Sequence, residues 1–426
     1  MKLSEIIEVF IAGDWGNESS SPEARCAVSC VRGADIVPIS NNEFADIPLR
    51  YVSNRSFQQK TLQVGDIVVE KSGGSPSQST GRVVYISQAL LSALTNVVCS
   101  NFCVAFRVKE GWNSYFIYQY WQYLYSNGVF FNFEGKTSGI KNLQLDIALS
   151  TIEIEAYPIK TQISIANCLK AIEDKIALNR SLNHNLEAMA KQLYNYWFVQ
   201  FDFPDADGKP YKSSGGKMVW NATLKRDIPE GWHCGSLLEI AAYTNGLACQ
   251  KFRPKVGGRS LPVIKIREMR EGFTADTEEV SFSIPDSVKI FNGDVLFSWS
   301  ASLEVILWAY GNGGLNQHIF KVTSKNDFPR SFYYFQLLDY VGVFKKMAEA
   351  RKTTMGHITQ DHLQQSTIAV PDDVDITHSF EEKLSPIFNQ QVKLQEEIQQ
   401  LTKLRDALLP LLMNGQVSVN YDLLND

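Results

Sequence analysis

Several residue groups in this chain resemble parts of catalytic or metal-binding sites, and each lacks a necessary element. Asp205, Asp207 and Lys209 resemble a nuclease signature, but the two acids lie on one turn-prone stretch and cannot come from separate strands around a metal ion. Gly135-Lys136-Thr137 lacks the upstream glycine of a phosphate-binding loop. The cysteine pairs Cys26/Cys30 and Cys99/Cys103 have no histidine near them in the sequence. We therefore predict neither a catalytic residue nor a metal site.

Loops rich in basic and short polar side chains carry the remaining candidate chemistry, which is DNA binding. Lysine and arginine suit phosphate and guanine O6/N7, whereas asparagine and glutamine suit adenine N6/N7. Residues 250–270 hold seven basic side chains and one acid, and residues 70–82 form a glycine loop dense in hydroxyls. Singly, each loop is equally consistent with a solvated turn. The candidate DNA-binding residues are Lys71, Ser72, Ser75, Gln78, Arg82, Lys136, Thr137, Lys141, Lys251, Arg253, Lys255, Arg259, Asn316, Gln317, His318, Lys352 and Thr353.

Composition bounds the class of protein. The 426 residues are 44% hydrophobic and 20% charged, which excludes a disordered or fibrous chain and predicts two or three domains. The long apolar run of a membrane helix and the start of a signal peptide are both missing from the sequence, so we expect a cytoplasmic protein with reduced thiols. The net charge of −5 argues against a protein that coats nucleic acid by itself. Local basic surfaces remain compatible with it.

The two halves of the chain repeat one another. A Gly-Asp turn before an apolar run occurs at Gly65-Asp66 and again at Gly293-Asp294. Lys136-Thr137 recurs as Lys352-Thr353, and Ser150-Thr151 recurs at the same offset as Ser366-Thr367. Each match is weak alone, but their common order predicts two similar domains.

Long helices are predicted at the end of each half. From Ile165 to Trp197, apolar residues recur at steps of four and three, and the pattern returns at nearly the same offset from Phe380 to Leu412. This spacing is typical of a coiled-coil seam. A seam of this length spans roughly 48 Å at 1.5 Å per residue. The predicted helix ends are Thr161 and Thr377 as N-caps, with Pro410 and Asn414-Gly415 closing the second helix.

These patterns predict an α+β protein with two similar mixed α/β domains joined by two long antiparallel helices as a pseudo-twofold repeat. Short runs rich in Val, Ile and Phe alternate with glycine-rich turns and predict strands, whereas residues 114–125 and 331–347 are more typical of helices. The predicted boundaries are residues 1–160 for the first domain, 161–200 for the first helix, 201–232 for a linker, 233–374 for the second domain, 375–415 for the second helix and 416–426 for a tail.

The chain resembles the specificity (S) subunit of type I restriction-modification enzymes over almost its whole length. The most specific stretch runs from Asn185-Leu186-Glu187-Ala188-Met189 through Tyr196-Trp197-Phe198-Val199 to Ile228-Pro229-Glu230-Gly231-Trp232. The closing segment from Leu404 to Gly415 is similar to the end of the family's second helix. The first domain begins with Gly13-Asp14-Trp15-Gly16 and lacks the Pro-Glu-Gly-Trp start of the second. We therefore expect the two domains to read unlike sequences.

The resemblance implies a non-catalytic, DNA-reading subunit. Each domain would be a target recognition domain for one half of a split double-stranded DNA sequence, and the helices would set the spacer and dock methyltransferase subunits. The implied partners are two methyltransferase (M) and two restriction/translocase (R) subunits, which would supply the S-adenosylmethionine, ATP and magnesium chemistry. No cofactor is expected in this chain. The alternatives are a two-headed protein scaffold with incidental DNA binding, and a nuclease built around Asp205, Asp207 and Lys209.

Overall fold

The protein divides into two compact units in the computed structural model, which describes residues 1–73, 78–137, 140–300, 302–350 and 358–419. The first unit contains Met1–Leu178 together with the C-terminal residues from Leu401, and the second contains Asn179–Gln400. Both long helices cross this division. In the described part of the chain, no helix is long and apolar enough to span a membrane.

The first unit combines short strands with helices. Its strands are β1 (Ile7–Ala12), β2 (Cys26–Val31), β3 (Leu49–Val52), β4 (Ile67–Glu70), β5 (Ser72–Gly73), β6 (Val83–Tyr85), β7 (Val97–Cys99), β8 (Cys103–Val108), β9 (Glu134–Thr137) and β10 (Ile140–Leu143). Its helices are α1 (Ile36–Ser40), α2 (Asn54–Lys60), α3 (Gln88–Ala93), α4 (Ser114–Ser126), α5 (Leu145–Thr151) and the first part of α6 (Ile159–Tyr194).

The second unit has a similar inventory. Its strands are β11 (Met218–Asn221), β12 (Arg226–Pro229), β13 (Trp232–Gly235), β14 (Ala241–Asn245), β15 (Ser260–Ile264), β16 (Glu279–Ser281), β17 (Lys289–Ile290), β18 (Val295–Ser298), β19 (Glu304–Leu307), β20 (Gly313–Leu315), β21 (Ile319–Ser324) and β22 (Ile368–Pro371). Its helices are α7 (Leu237–Ile240), α8 (Ile266–Glu271), α9 (Arg330–Ala350), α10 (Gln360–Gln364) and most of α11 (Asp375–Met413), and a π-helical turn at Asn195–Val199 follows α6.

Sheet topology confirms the internal repeat. The four-stranded antiparallel sheet β1-β8-β4-β6 of the first unit has its counterpart in β14-β21-β18-β19 of the second. A parallel pair accompanies each sheet, β2 with β7 and β15 with β20. Asp66 accepts a hydrogen bond from the backbone N–H of Gln63, and Asp294 accepts the same bond from Phe291, both at 2.8 Å. The repeated Gly-Asp motif therefore marks the same turn before the same strand.

The long helices follow the predicted seam. In the second unit, the side chain of Asn179 in α6 donates to the Glu397 carboxylate in α11 (2.8 Å). Trp197, just after the end of α6, packs on Phe380 near the start of α11, with 5.4 Å between ring centroids. Later positions in one helix thus contact earlier positions in the other, so the helices are antiparallel. In the first unit, Ile165 shares a buried cluster with Leu412.

The predicted helix ends were partly wrong. α6 begins at Ile159 because Pro158, whose fixed φ suits a helix start, precedes it. α11 begins at Asp375, whose N–H bonds the side chain of Asp373, so Thr161 and Thr377 lie inside the helices and are not caps. Pro410 also lies inside α11. The prediction for Asn414-Gly415 is confirmed, since the helix ends at Met413 and Gly415 adopts the left-handed φ of +65° typical of a helix end.

Candidate nucleic-acid interface

A turn at residues 100–102, between β7 and β8, lies at the centre of a cleft in the first unit. The Ser100 N–H donates to the Val31 carbonyl (2.8 Å), and the Asp14 N–H donates to the Cys99 carbonyl (2.7 Å). A Cβ at Gly13 would lie 1.9 Å from the Ser100 carbonyl oxygen, so only glycine permits this approach. We call residues 13–15, 32–35, 70–73 and 100–102 the first corner.

The first corner lines an open cavity of about 610 Å³. Its lining includes aromatic, amide, hydroxyl and charged side chains, among them Trp15, Arg32, Glu70, Ser72, Asn101 and Phe102. Phe102 is an exposed large hydrophobic residue, and the ring of Trp15 carries the Arg50 guanidinium 4.1 Å from its centroid. Flat apolar faces beside amide groups are suited to stacking on bases and to bonding their edges.

Charge in the first corner is held by two arginine–carboxylate pairs. Glu70 is 4% exposed and accepts two hydrogen bonds from Arg82 at 2.8 and 2.6 Å. These bonds raise the pKa of Arg82 further above its usual value. Arg32 bonds the buried Asp35 at 2.7 and 2.9 Å and remains partly exposed at the cavity. The carboxylates of Glu70 and Asp35 are therefore each neutralised by an arginine, and the partly exposed Arg32 side chain still lines the cavity.

The second unit builds the same corner with residues 246–248, 265–268, 298–300 and 316–318, here called the second corner. The Asn316 N–H donates to the Ile264 carbonyl (3.1 Å), and the Leu247 N–H donates to the Leu315 carbonyl (2.8 Å). A Cβ at Gly246 would lie 2.2 Å from the Asn316 carbonyl oxygen. Each contact has its counterpart in the first corner, so residues 316–318 correspond to residues 100–102.

The side chains of the second corner differ from those of the first. Trp299, at the position of Lys71, donates from its indole N–H to the Asn245 side chain at 3.1 Å. The side-chain amide nitrogen of Gln317 lies 3.3 Å from Nε2 of His318. The Nδ1 atom of His318 is buried and has no hydrogen-bond partner among the described residues. One backbone frame thus presents two different sets of hydrogen-bonding groups.

Four basic side chains in the first part of the 250–270 segment are exposed, whereas Lys265, Arg267 and Arg270 are paired with carboxylates. Lys251 ends the short helical turn at Cys249–Lys251, and Arg253 and Lys255 lie between that turn and β15; all three are exposed. Arg259 is exposed and stacks on Phe282, with 3.9 Å from its guanidinium carbon to the ring centroid. A guanidinium placed over an aromatic ring keeps N–H donors available for phosphate or base.

The glycine-loop candidates of the first unit have mixed environments. Lys71 is exposed, and the Ser72 hydroxyl bonds Asn142 at 2.5 Å. Lys141 donates to the Gln78 carbonyl (3.2 Å) and lies 3.4 Å from Glu134. Lys136 and Thr137 belong to β9, whose backbone alone is described there. The candidates Ser75, Lys352 and Thr353 lie outside the described residues.

Sequence reasoning missed Trp15, Arg32, Asn101 and Trp299, which the tertiary structure brings into the two corners. One signal for Asn101 was present, since the offset that relates Lys136 to Lys352 also aligns Asn101 with Gln317. No comparable signal existed for Arg32, because Arg32 and the turn at residues 100–102 are far apart in the sequence.

The nuclease-like residues form an isolated turn. Asp205 Oδ1 accepts hydrogen bonds from the backbone N–H groups of Asp207 (2.9 Å) and Lys209 (2.8 Å). Within the described ranges, no group of three or more His, Cys, Asp or Glu side chains is placed to hold a metal ion. The three residues therefore cap a turn.

Comparisons with known proteins agree with this architecture. The family model described as "Type I restriction modification DNA specificity domain" matches residues 37–188 and 229–403. The chain is 22% identical over 400 residues to the type I restriction enzyme MjaIX specificity subunit of Methanocaldococcus jannaschii, covering 91% of this chain and 88% of that protein. It is 21% identical to the HindI specificity subunit of Haemophilus influenzae, covering 63% and 70%.

A solved structure shares the fold. The crystal structure of a type I restriction-modification system S subunit from M. genitalium matches 97% of this chain and 95% of its own, with a TM-score of 0.57 at 12% identity. Since the family model covers most of the sequence in two copies, the chain belongs to the specificity subunits of type I restriction-modification systems.

Proposed function

We propose that each unit reads one half of a split double-stranded DNA sequence through its corner. The observation that carries this proposal is the duplication of one backbone frame with different side chains on it. Residues 100–102 are Ser-Asn-Phe and residues 316–318 are Asn-Gln-His, held by matching backbone hydrogen bonds. A shared frame with exchanged reading groups suits recognition of two unlike half-sites by one chain.

Contacts to the DNA backbone supply affinity in this proposal. Lys251, Arg253 and Lys255 are exposed in the second unit, and Lys71 is exposed in the first corner. Such side chains bind phosphate and position a domain without reading sequence. We expect their replacement by alanine to weaken binding to all DNA sequences equally and to reduce its salt dependence by about one unit of slope per phosphate contact.

The two helices are proposed to set the spacer and to dock two M subunits, with two R subunits joining for cleavage. Leu182, Met189 and Tyr196 are exposed at seven-residue spacing along the first helical segment and form an apolar stripe for a partner. S-adenosylmethionine, ATP and magnesium would be bound by those partners. This chain supplies recognition and assembly.

The test is methylation-aware sequencing of DNA from cells that express this chain with its cognate methyltransferase, beside cells that lack the chain. A split motif with N6-methyladenine that appears only with the chain is the expected result. If a confirmed complex with an active methyltransferase gives no chain-dependent motif, the two-headed protein scaffold replaces this proposal.

The spacer is tested separately by lengthening the helix pair. Seven residues inserted after Asn183 and seven after Lys393 keep the seam in phase, because Asn179 contacts Glu397 across the pair. The insertion adds about 10 Å at 1.5 Å per residue, so the preferred spacer should grow by about three base pairs of roughly 3.4 Å each. The same insertion in the exposed turn at residues 222–225 is the control and should leave the spacer unchanged. An unchanged spacer in the helix variant refutes the role of the helices.

A further inference from the structure

The middle residue of each corner turn is a carboxamide, although its neighbours differ. Asn101 follows Ser100 in the first corner, and Gln317 follows Asn316 in the second. The two turns are equivalent in geometry, since the Cys103 N–H donates to the Ser100 carbonyl (2.9 Å) just as the Ile319 N–H donates to the Asn316 carbonyl (3.1 Å). We infer that Asn101 and Gln317 are the residues that select an adenine in each half-site. This inference rests on the proposed function.

A carboxamide matches adenine because it offers one donor and one acceptor side by side. In the major groove, adenine presents the N7 acceptor next to the N6 donor, and Asn or Gln bonds both at once. A guanine at the same place presents two acceptors and would leave the amide oxygen facing another acceptor. Such a bidentate pair discriminates against the wrong base by roughly 5- to 150-fold, which corresponds to about 1–3 kcal/mol.

The first corner orients its carboxamide before DNA arrives. Asn101 is exposed, and its Oδ1 accepts the Trp15 backbone N–H at 3.2 Å. An amide oxygen has two acceptor positions, so one remains for adenine N6, and the NH₂ group remains for N7. The same contact fixes which edge of the amide faces the cavity.

The second corner orients Gln317 by different contacts. Its backbone N–H donates to the Leu247 carbonyl at 2.9 Å, and its amide nitrogen lies 3.3 Å from His318 Nε2. One amide proton on that nitrogen remains for a base, as does the amide oxygen. The neighbouring side chains Phe102 and His318 occupy one equivalent position and differ in polarity, so the base pairs beside each adenine are read differently.

The experiment measures binding of the complex of this chain with its methyltransferase to duplexes in which each base pair of the methylated motif is replaced in turn. Asn101→Asp keeps the acceptor that holds the Trp15 N–H but loses the donor to N7. Asn101→Ala loses both groups. We expect both variants to lose the preference for one adenine in one half-site, by about 5- to 150-fold. Gln317→Glu and Gln317→Ala should do the same in the other half-site.

The half-site that is not targeted serves as the internal control for folding and assembly in each variant. In the wild-type complex, 7-deazaadenine at the affected position should weaken binding, whereas it should have no effect on Asn101→Asp. If Asn101→Asp keeps the wild-type base preferences, the residue has only a positioning role and the inference is wrong. It is also overturned if the relaxed pair is not adenine·thymine. A wild-type complex without any split motif instead refutes the proposed function itself.

Discussion

Arg82 provides a test of whether a predicted DNA-binding residue serves the stability of the first unit instead. Its two hydrogen bonds to Glu70 are 2.6 and 2.8 Å long, and the side chains are 15% and 4% exposed. Removing the arginine leaves a buried carboxylate without its cation, which costs about 3–5 kcal/mol. Since 1 kcal/mol corresponds to about 2–4 °C for domains of 150–250 residues, Arg82→Ala should lower the Tm of the first unit by about 6–20 °C.

Differential scanning calorimetry of the full chain measures this change. The matched control is the double variant Glu70→Gln/Arg82→Met, which removes both charges and should recover most of the lost Tm. The salt dependence of DNA binding by the folded variants supplies the second measurement, because a lost phosphate contact lowers its slope by about one. An Arg82→Ala variant that is destabilised by less than about 0.5 kcal/mol and loses one unit of slope would refute the structural reasoning.

Three further predictions concern the corner glycines, a histidine and the buried thiols. Gly13→Ala places a Cβ 1.9 Å from the Ser100 carbonyl oxygen, so it should abolish base preference in one half-site and spare the other, as measured by binding to half-site variants. Burial lowers the pKa of His233, but hydrogen bonds with Asp372 (2.6 Å) and Glu239 (2.7 Å) raise it above its usual value overall. The contribution of His233 to stability is therefore complete below about pH 6.5 and is lost as the pH rises through the raised pKa. In urea unfolding, the free energy of unfolding of His233→Ala should fall less above about pH 6.5 than that of the wild type. Burial raises the pKa of Cys30 to about 12 and that of Cys103 to about 11, so iodoacetamide at pH 8 should leave both unmodified in the folded chain and label them after denaturation, as read by mass spectrometry.

Features with a local period were predictable. The seam from Ile165 to Trp197 and its copy from Phe380 to Leu412 lie at least half-buried in the structure, as their spacing indicated. The Gly-Asp turns were also informative, because glycine takes the positive φ that both turns need, +95° at Gly65 and +90° at Gly293. The predicted N-caps Thr161 and Thr377 lie three residues after the residues that precede the two helices, since Pro158 and Asp373 act as start signals before the threonines.

The candidate DNA-binding residues also separate into those that local sequence predicted and those that it did not. Exposed basic residues such as Lys251 and Arg253 were found from composition, because a charge cluster in a glycine-rich loop has few ways to be buried. Arg82 and Lys141 belong to the same compositional class, yet they are paired with Glu70 and Glu134. A list of basic residues does not distinguish the two situations, because the pairing depends on which strands become neighbours.

The sequence by itself determined the two-domain repeat, the antiparallel helix pair and the kind of chemistry available, since periodicity and turn residues act within a few positions of the chain. Only the tertiary structure decided which side chains share a reading corner. Trp15, Arg32 and Asn101 meet because β2 pairs with both β3 and β7, and because Gly13 allows the backbone to approach Ser100. Such a meeting depends on contacts between distant segments, whose partners no local pattern specifies.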